Sequence, residues 1–249
     1  MAVFRPSIWV IAVVVWTCSF QLAGAMERRL LLGPSPEDVD ANGLPRGWQV
    51  LQFHDISAQT HYMIEMEGGQ YAIKAVSENS ASGIYIEMEE ELDPEMFRQI
   101  SWEWKIENLL TKGDMTQQSG DDSSARIIVA FHYQSDRASL FRKIKYELTR
   151  LIYGQYPPGS ALVYVWDHQH PVESMFDNAY TDWAKMVVVE SGPSNVGKWV
   201  MERRNVYEDY RLAFGDNPPP MKFIGIMTDT DDTEERAVAY YRQLYLESS

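Results

Sequence analysis

The sequence contains a single cysteine, Cys18, in a chain of 249 residues. A disulfide within one chain needs two cysteines, so a fold held together by disulfides is excluded. Cys18 follows Val15, Trp16 and Thr17, and therefore lacks the small residue that a lipoprotein signal places directly before its cysteine. The sequence predicts neither a disulfide scaffold nor a lipid anchor.

Positive charge is also scarce. Lys and Arg total 22 against 36 Asp and Glu, which gives a formal net charge of -14 at pH 7. A surface of this sign repels the phosphate backbone, so nucleic acid is not an expected partner.

The first 25 residues differ from the rest. Arg5 supplies a basic start, Ile8–Phe20 is apolar, and Ala23-Gly24-Ala25 is a small-residue cleavage signal. This pattern predicts a secretory signal peptide, residues 1–25, cut before Met26. The apolar stretch is shorter than the ~20 residues of a membrane span, and no later segment is apolar enough. Export of a mature chain without cysteine favours the bacterial periplasm, where a core of this size suffices for stability.

Beyond the leader the chain is rich in short runs of β-branched and aromatic residues separated by turn residues. Residues 26–47 are turn-rich and are predicted to form a surface lead-in, and residues 48–249 a single domain. In Ile100–Glu107 the apolar residues alternate with charged ones, which indicates a half-buried strand. About ten such strands at this spacing are typical of a β-sandwich. The predicted strands are 48–53, 62–66, 71–76, 83–88, 100–107, 126–131, 161–166, 185–190, 199–203, 223–227 and 237–246.

The last two of these are predicted to pair as a closing β-hairpin with an acidic tip. Two segments instead have apolar residues at helical spacing, namely Ser139–Ile152, which is basic, and Asn205–Phe214, which is followed by Gly215. The predicted fold class is all-β: an antiparallel jelly-roll-like β-sandwich with one or two short helical insertions.

A set of ordered landmarks between Trp48 and Leu246 resembles a known bacterial family. The residues are Ile100-Ser-Trp-Glu-Trp-Lys105, Gly120–Phe131, Val163-Tyr-Val-Trp166, Val188–Gly192, Glu202–Arg211 with Phe214-Gly215, and Ile224–Asp232. Together they resemble DUF3047, a family of exported proteins without an established function. The resemblance implies a strand order similar to jelly-roll sandwiches of the carbohydrate-binding type, which often carry a structural calcium. The chain departs from the family at Gln243, where an Asp is expected, and in the basic segment 137–150.

Acidic residues are concentrated at two predicted strand ends. Asp229, Asp231 and Asp232 follow one apolar run, and Asp121 and Asp122 precede another. Hard oxygen ligands at this density suit calcium, so all five are candidate ligands of a structural ion. The alternative is a solvated turn, since Asp and Thr are common turn residues.

Exposed aromatic rings are the candidates for ligand contact. Flat aromatic faces stack on sugars and also fill sandwich cores. Trp183 and Tyr180, in a polar stretch, and Trp166 are the candidate glycan-contacting residues, whereas Trp102 and Trp104 are expected in the core because their strand alternates.

Catalytic signatures are largely missing. The segment Gly192–Gly197 lacks the spacing of a nucleophile elbow, and the acidic run Glu87–Asp93 is better explained by solvated strand ends. His168 and His170 lack a nameable third zinc ligand. We therefore favour a non-catalytic binding module with a glycan as ligand. Two alternatives stay open: a peripheral envelope or membrane-interaction protein that uses the basic helix 139–152, and an unrecognised glycan hydrolase.

The leader gives the first testable prediction. If residues 1–25 are a cleaved signal peptide, mass spectrometry of the exported protein will find a mature chain that begins at Met26. A chain that retains Met1 and stays in the inner membrane would instead support an uncleaved anchor.

Overall fold

The computed structural model describes residues 27–53, 56–134 and 159–248, so the predicted leader and the predicted helix 139–152 lie outside the described residues. Within these ranges the chain forms thirteen strands and one α-helix. The strands are β1 (Arg28–Leu32), β2 (Trp48–Leu51), β3 (His61–Glu67), β4 (Gln70–Glu78), β5 (Ala81–Leu92), β6 (Gln99–Ile106), β7 (Ser123–Phe131), β8 (Ser160–Asp167), β9 (Met175–Asn178), β10 (Thr181–Ser191), β11 (Val200–Asn205), β12 (Met221–Asp229) and β13 (Arg236–Glu247). The helix is α1 (Val206–Phe214).

The strands form two sheets. The first sheet has the order β11-β6-β13-β4-β3, with β1 also paired to β13, and the second has the order β2-β5-β12-β7-β8-β10-β9. Neighbouring strands run antiparallel except β8 and β10, which are parallel. The predicted all-β sandwich is confirmed, and so is the hairpin at Gly68-Gly69, where β3 pairs with β4.

The segment predicted as a surface lead-in contributes to the sandwich. Residues 28–32 form β1, which pairs with β13. Leu32 and Leu44 from this segment are buried in the core. Part of the lead-in thus packs in the core, although Leu30 in the same segment is exposed and the turns are rich in Pro and Gly.

The prediction that the last two strands pair as a closing hairpin is wrong. β12 lies in the second sheet between β5 and β7, whereas β13 lies in the first sheet between β4 and β6. Ile224 and Ile226 enter the core from one layer, and Tyr241 and Leu246 enter it from the other. Two consecutive apolar strands have the same local pattern whether they pair together or face each other across a core. The acidic segment 230–235 consequently crosses from one sheet to the other.

The centre of the core is aromatic. Trp102 and Trp104 on β6 meet edge to face, with ring centroids 5.4 Å apart. From the second sheet, Tyr164 lies 5.4 Å from Trp102, and Trp166 lies 5.8 Å from Trp104. These contacts confirm the predicted core position of Trp102 and Trp104, and they join the two sheets through large buried side chains.

Helix α1 closes one end of this core, and its position confirms the predicted helix 205–214. The side chain of Asn205 accepts a hydrogen bond from the backbone N–H of Glu208, and Gly215 ends the helix in the left-handed conformation with φ 73°. Tyr210 packs against Phe131 with ring centroids 4.7 Å apart. Among the described residues no helix is both long and apolar enough to cross a membrane.

Charged residues lie where the edge strand β11 meets the core. In the β11–β6 register Glu202 is opposite Trp102, so it shares the inward face of that residue. Arg204, two residues further on, is already bound by Asp209 and Glu173. Burial, and after it the nearby carboxylate of Glu190, raise the pKa of Glu202 from its ordinary 4.5 to about 7. Glu202 therefore keeps its proton in the folded state well above the pH at which an unfolded chain loses it.

This shift predicts a loss of stability as the pH rises from about 4.5 to about 7, because only the unfolded state ionises Glu202 in that window. Replacement Glu202→Gln should remove this component of the pH dependence. The variant should be more stable than the wild type by about 1 to 2 kcal/mol at pH 8, allowing for the partial exposure of the carboxyl, and nearly equal to it at pH 4.

Urea unfolding of both proteins across this pH range measures the difference. The exposed Glu37→Gln is the matched control and should leave the pH profile unchanged. An unchanged profile in Glu202→Gln as well would show that Glu202 titrates normally in the folded protein.

Candidate functional site

The two acidic segments meet at one end of the second sheet. β7 begins where β12 ends, because the two strands are antiparallel neighbours with Ser123 opposite Asp229. Asp121 and Asp122 directly precede Ser123 and therefore lie beside segment 230–235. The contact is direct: the backbone N–H of Thr233 donates a 2.6 Å hydrogen bond to the Asp122 carboxylate.

A short 3-10 helix, Gln118–Gly120, leads into this end of β7. The chain doubles back tightly there, since a Cβ on Gly120 would lie 2.6 Å from the backbone nitrogen of Asp114. Only glycine permits this approach without a shift of the backbone. The loop is also tied to the β9–β10 turn, because the side chain of Asn178 donates to Asp121 at 2.6 Å.

Arg126 binds two of the five acidic residues. Its Nε and Nη2 donate to the carboxylate of Asp229 at 2.9 and 2.7 Å, and its Nη1 donates to Asp121 at 3.3 Å. All three side chains are buried. Burial by itself lowers the pKa of Arg126, but the carboxylates of Asp229 and Asp121 outweigh this and raise it, so the guanidinium stays charged. These two carboxylates thus serve a buried ion pair.

The other three carboxylates converge without such a partner. Asp122, Asp231 and Asp232 each direct one oxygen to a common region, and these oxygens all lie within 4.8 Å of one another. Asp122 is 3% exposed, and its Oδ1 has no hydrogen-bond partner among the described residues. The same holds for the buried hydroxyl of Thr233. Buried oxygen atoms without a partner are unusual, because buried polar atoms are nearly always paired, and one of these two belongs to the carboxylate cluster.

The electrostatics of the cluster are unfavourable without a cation. Burial, followed by the carboxylates of Asp122 and Asp232, raises the pKa of Asp231 to about 6. The pKa of Asp232 is also raised, chiefly by burial. Lys112 is near, but its ammonium donates to the backbone carbonyl of Thr233 at 3.0 Å. A bound cation would offset the repulsion between the three carboxylates.

Tyr180, in the turn between β9 and β10, borders the cluster. Its hydroxyl lies 3.1 and 3.2 Å from the two carboxylate oxygens of Asp232 and 3.0 Å from the backbone carbonyl of Gln118. Burial of the hydroxyl, and then the charge of Asp232, raise the pKa of Tyr180 to about 12. The residue as a whole is nevertheless 56% exposed. A fixed hydroxyl thus holds a largely exposed ring at the rim of the cluster.

The donor set suits a hard cation. Carboxylate and hydroxyl oxygens are the ligands that calcium and magnesium prefer. Calcium binds oxygen at roughly 2.3–2.6 Å, so oxygens on opposite sides of one ion are about 4.6–5.2 Å apart. The mutual distances in this cluster, none above 4.8 Å, are compatible with a shared ion.

The structure divides the predicted metal ligands into two groups. It brings Asp122, Asp231 and Asp232 together, whereas Asp121 and Asp229 bind Arg126. The predicted ligand-contacting residues also separate. Tyr180 is exposed beside the cluster and Trp183 is half-buried near the start of β10.

The prediction that Trp166 contacts a glycan is wrong. It is 1% exposed, and its indole N–H donates to the backbone carbonyl of Gly192 at 3.3 Å. A sugar cannot reach a ring enclosed in the core. Every residue of β8 is buried, so the strand offers no exposed face on which an aromatic residue could bind a ligand.

The His-x-His motif has a local partner. The imidazole Nδ1 of His170 is 2.7 Å from the carboxylate of Asp167, and that of His168 is 3.7 Å from it. Within residues 27–53, 56–134 and 159–248 the acidic cluster is the one group of three or more metal-ligating side chains close enough to share an ion. Both histidines lie in the segment that connects β8 to β9.

Sequence reasoning missed Arg126 and Asn178. Arg126 begins the predicted strand 126–131, which is otherwise apolar. A charged residue on such a strand must be paired if it is buried. The two preceding aspartates were the available signal for that pairing.

Comparisons with known proteins concern the fold. A family model described as "Protein of unknown function (DUF3047)" matches residues 46–245. No curated protein matches the chain.

Several solved structures are similar in outline. The family 11 carbohydrate-binding module of the cellulase Lic26A-Cel5E of Clostridium thermocellum has 10% identity over 90% of this chain and 95% of its own, with a TM-score of 0.44. A family 11 carbohydrate-binding module from Clostridium thermocellum in complex with a β-1,3-1,4-mixed-linked tetrasaccharide has 9% identity over 88% of this chain and 94% of its own, with a TM-score of 0.40. Endoglucanase 3 of Trichoderma harzianum, from family GH12, has 7% identity over 82% and 99%, with a TM-score of 0.35.

The buried ion pair yields a stability prediction. Replacement Arg126→Met would leave Asp229 and Asp121 buried without a cation, which should cost about 3 to 5 kcal/mol of unfolding free energy in urea. Arg46→Met is the matched control. Its pair with Asp38 is exposed, with side-chain exposures of 69% and 68%, and its loss should cost no more than about 1 kcal/mol. Equal losses in the two variants would contradict a structural role for the Arg126 pair.

Proposed function

Since this chain belongs to the DUF3047 family, whose description assigns no function, we propose its function from its own site: it is a non-catalytic β-sandwich binding module that holds a calcium ion between Asp122, Asp231 and Asp232. The observation that carries the proposal is the convergence of these carboxylates, of which that of Asp122 is buried and has an Oδ1 without a partner among the described residues. A cation would satisfy this oxygen and offset most of the negative charge of the cluster.

Calcium is the preferred ion for three reasons. The donors are oxygen atoms, which exclude soft metals that select sulfur or imidazole ligands. The ligands come from two separate loops, and calcium tolerates irregular geometry better than magnesium does. Extracellular calcium modules bind in roughly the 10⁻⁴–10⁻³ M range, which would suit the predicted export of the chain to the periplasm.

A glycan is the ligand class that we propose for this module. The supporting observation is Tyr180, which is 56% exposed although its hydroxyl is held beside Asp232. An exposed aromatic ring held in place next to oxygen donors has the two contacts that sugar-binding sites combine, an apolar face and polar groups. Trp183 is the second aromatic candidate on the same β9–β10 hairpin.

Calcium titration tests the cation site. Saturation to a hundredfold excess over the dissociation constant should raise the unfolding free energy by about 2.7 kcal/mol. Replacement Asp231→Asn should abolish this gain. In the absence of calcium the same replacement should leave stability unchanged or raise it, because it removes one of three mutually repelling carboxylates.

The control variant is Glu87→Gln, which changes the net charge equally at an exposed position on β5. It should retain the full response to calcium. Isothermal titration calorimetry with calcium and with magnesium identifies the preferred ion. If neither ion nor a chelator changes the stability, and neither ion gives a heat signal, the cluster is a solvated turn and not a cation site.

A further inference from the structure

The side chains at the cation site leave the coordination of calcium incomplete. Calcium takes 6 to 8 oxygen ligands, whereas the described side chains that converge are those of Asp122, Asp231 and Asp232. Asp122 offers one free oxygen, because the other accepts the Thr233 N–H. The remaining positions have to be filled by backbone carbonyls, by water or by a ligand.

The positions that remain open lie toward solvent. Asp122 and Thr233 are 3% and 4% exposed and form the inner side of the site. Asp231 and Asp232 are only partly buried and form its rim. An ion at this position would be coordinated by protein oxygens on its inner side and would face solvent on its outer side.

Tyr180 lies beside that outer side. Its hydroxyl contacts Asp232 and the carbonyl of Gln118, so the ring cannot turn away without losing both contacts. Besides burial, the charges of Asp232, Asp121 and Asp231 all raise the pKa of the Tyr180 hydroxyl, so the surroundings of the ring are negative. Such a rim disfavours anionic ligands and favours neutral ones.

This inference rests on the proposed cation site: we propose that the bound calcium is itself a ligand-binding group, and that two vicinal hydroxyls of a neutral saccharide complete its coordination while the sugar ring packs on Tyr180. Hydroxyl oxygens are acceptable calcium ligands. The apolar C–H face of a sugar ring matches an exposed aromatic face. The calcium would then determine which sugars bind, by the orientation of their adjacent hydroxyls.

Luminescence of terbium, used as a calcium substitute, tests this arrangement in the full mature chain. The Tb³⁺ lifetime in H₂O and D₂O reports the number of water molecules on the ion. The probes are methyl α-mannopyranoside, which has a cis diol at C2–C3, and methyl β-galactopyranoside, which has one at C3–C4. The control for each probe is its deoxy analogue, which lacks one hydroxyl of that diol. We expect a probe with the matching diol to displace water and lengthen the lifetime, and its deoxy analogue to have no effect.

Two variants separate stacking from cation binding. Tyr180→Phe and Tyr180→Ala both lose the hydroxyl that contacts Asp232, so any effect of that contact on calcium affinity should be equal in the two variants. Relative to Tyr180→Phe, Tyr180→Ala should weaken the binding of that probe about tenfold, because it also removes the ring. Tyr180→Phe should keep most of the probe affinity. Asp231→Asn should abolish binding of both the ion and the probe.

The outcomes distinguish this inference from the proposed cation site. If calcium binds but neither probe changes the Tb³⁺ lifetime, the inference fails and the cation site stands. If sugar binding survives chelator, or is unaffected in Tyr180→Ala, the inference also fails and a sugar site elsewhere is indicated. If no cation binds, both fail.

Discussion

The crossing from β12 to β13 is the constraint on which the rest of the structure depends. Each of these strands lies inside its own sheet, with β5 and β7 beside β12 and with β4 and β6 beside β13. The link between them has to span two layers that pack about 10 Å apart. Thr228 and Thr230 secure its inner side through hydrogen bonds to Tyr241 and Ser77. The residues that follow them are left at the rim of the sandwich, where carboxylates can be held close together without being fully enclosed.

Arg126 determines which acidic residues form an ion pair and which remain in the candidate cation site. One guanidinium has a limited number of N–H donors, and here these are directed to Asp229 and Asp121. This pair fixes the start of β7 against the end of β12, and so sets the position of Asp122, the next residue along the chain. The ion pair thus provides a rigid base for the candidate cation site, and the second group of carboxylates stays free to bind an ion.

The sequence was a good guide wherever local pattern alone decides the structure. The alternation in β6, the Gly68-Gly69 turn and the Gly215 helix end each specify their conformation within a few residues. Pairing between distant strands is different, because it depends on which apolar faces share a core. The closing hairpin was mispredicted for this reason.

The candidate site shows the same limit. All five carboxylates could be named from the sequence, because clustered aspartates at strand ends stand out in any chain. Their division into an ion pair and a cation site could not, since it depends on the register of β7 against β12. The prediction that Trp166 contacts a glycan was wrong for a related reason. β8 is buried on both faces, and the sequence of such a strand has no periodicity that distinguishes a core ring from an exposed one.

The position of β12 and β13 also determines the order in which the chain can fold. During synthesis, at roughly 5–20 residues per second, the strands that flank them emerge first and remain unpaired on the side where β12 or β13 will later insert. Until then only the pairings that involve neither strand can form, such as β3–β4, β7–β8 and β6–β11, and the edges of β4, β5, β6 and β7 that β12 or β13 will occupy stay open to other chains. Folding should accordingly be slow and dominated by long-range contacts. The nascent chain would remain a substrate for chaperones until its last strand is available.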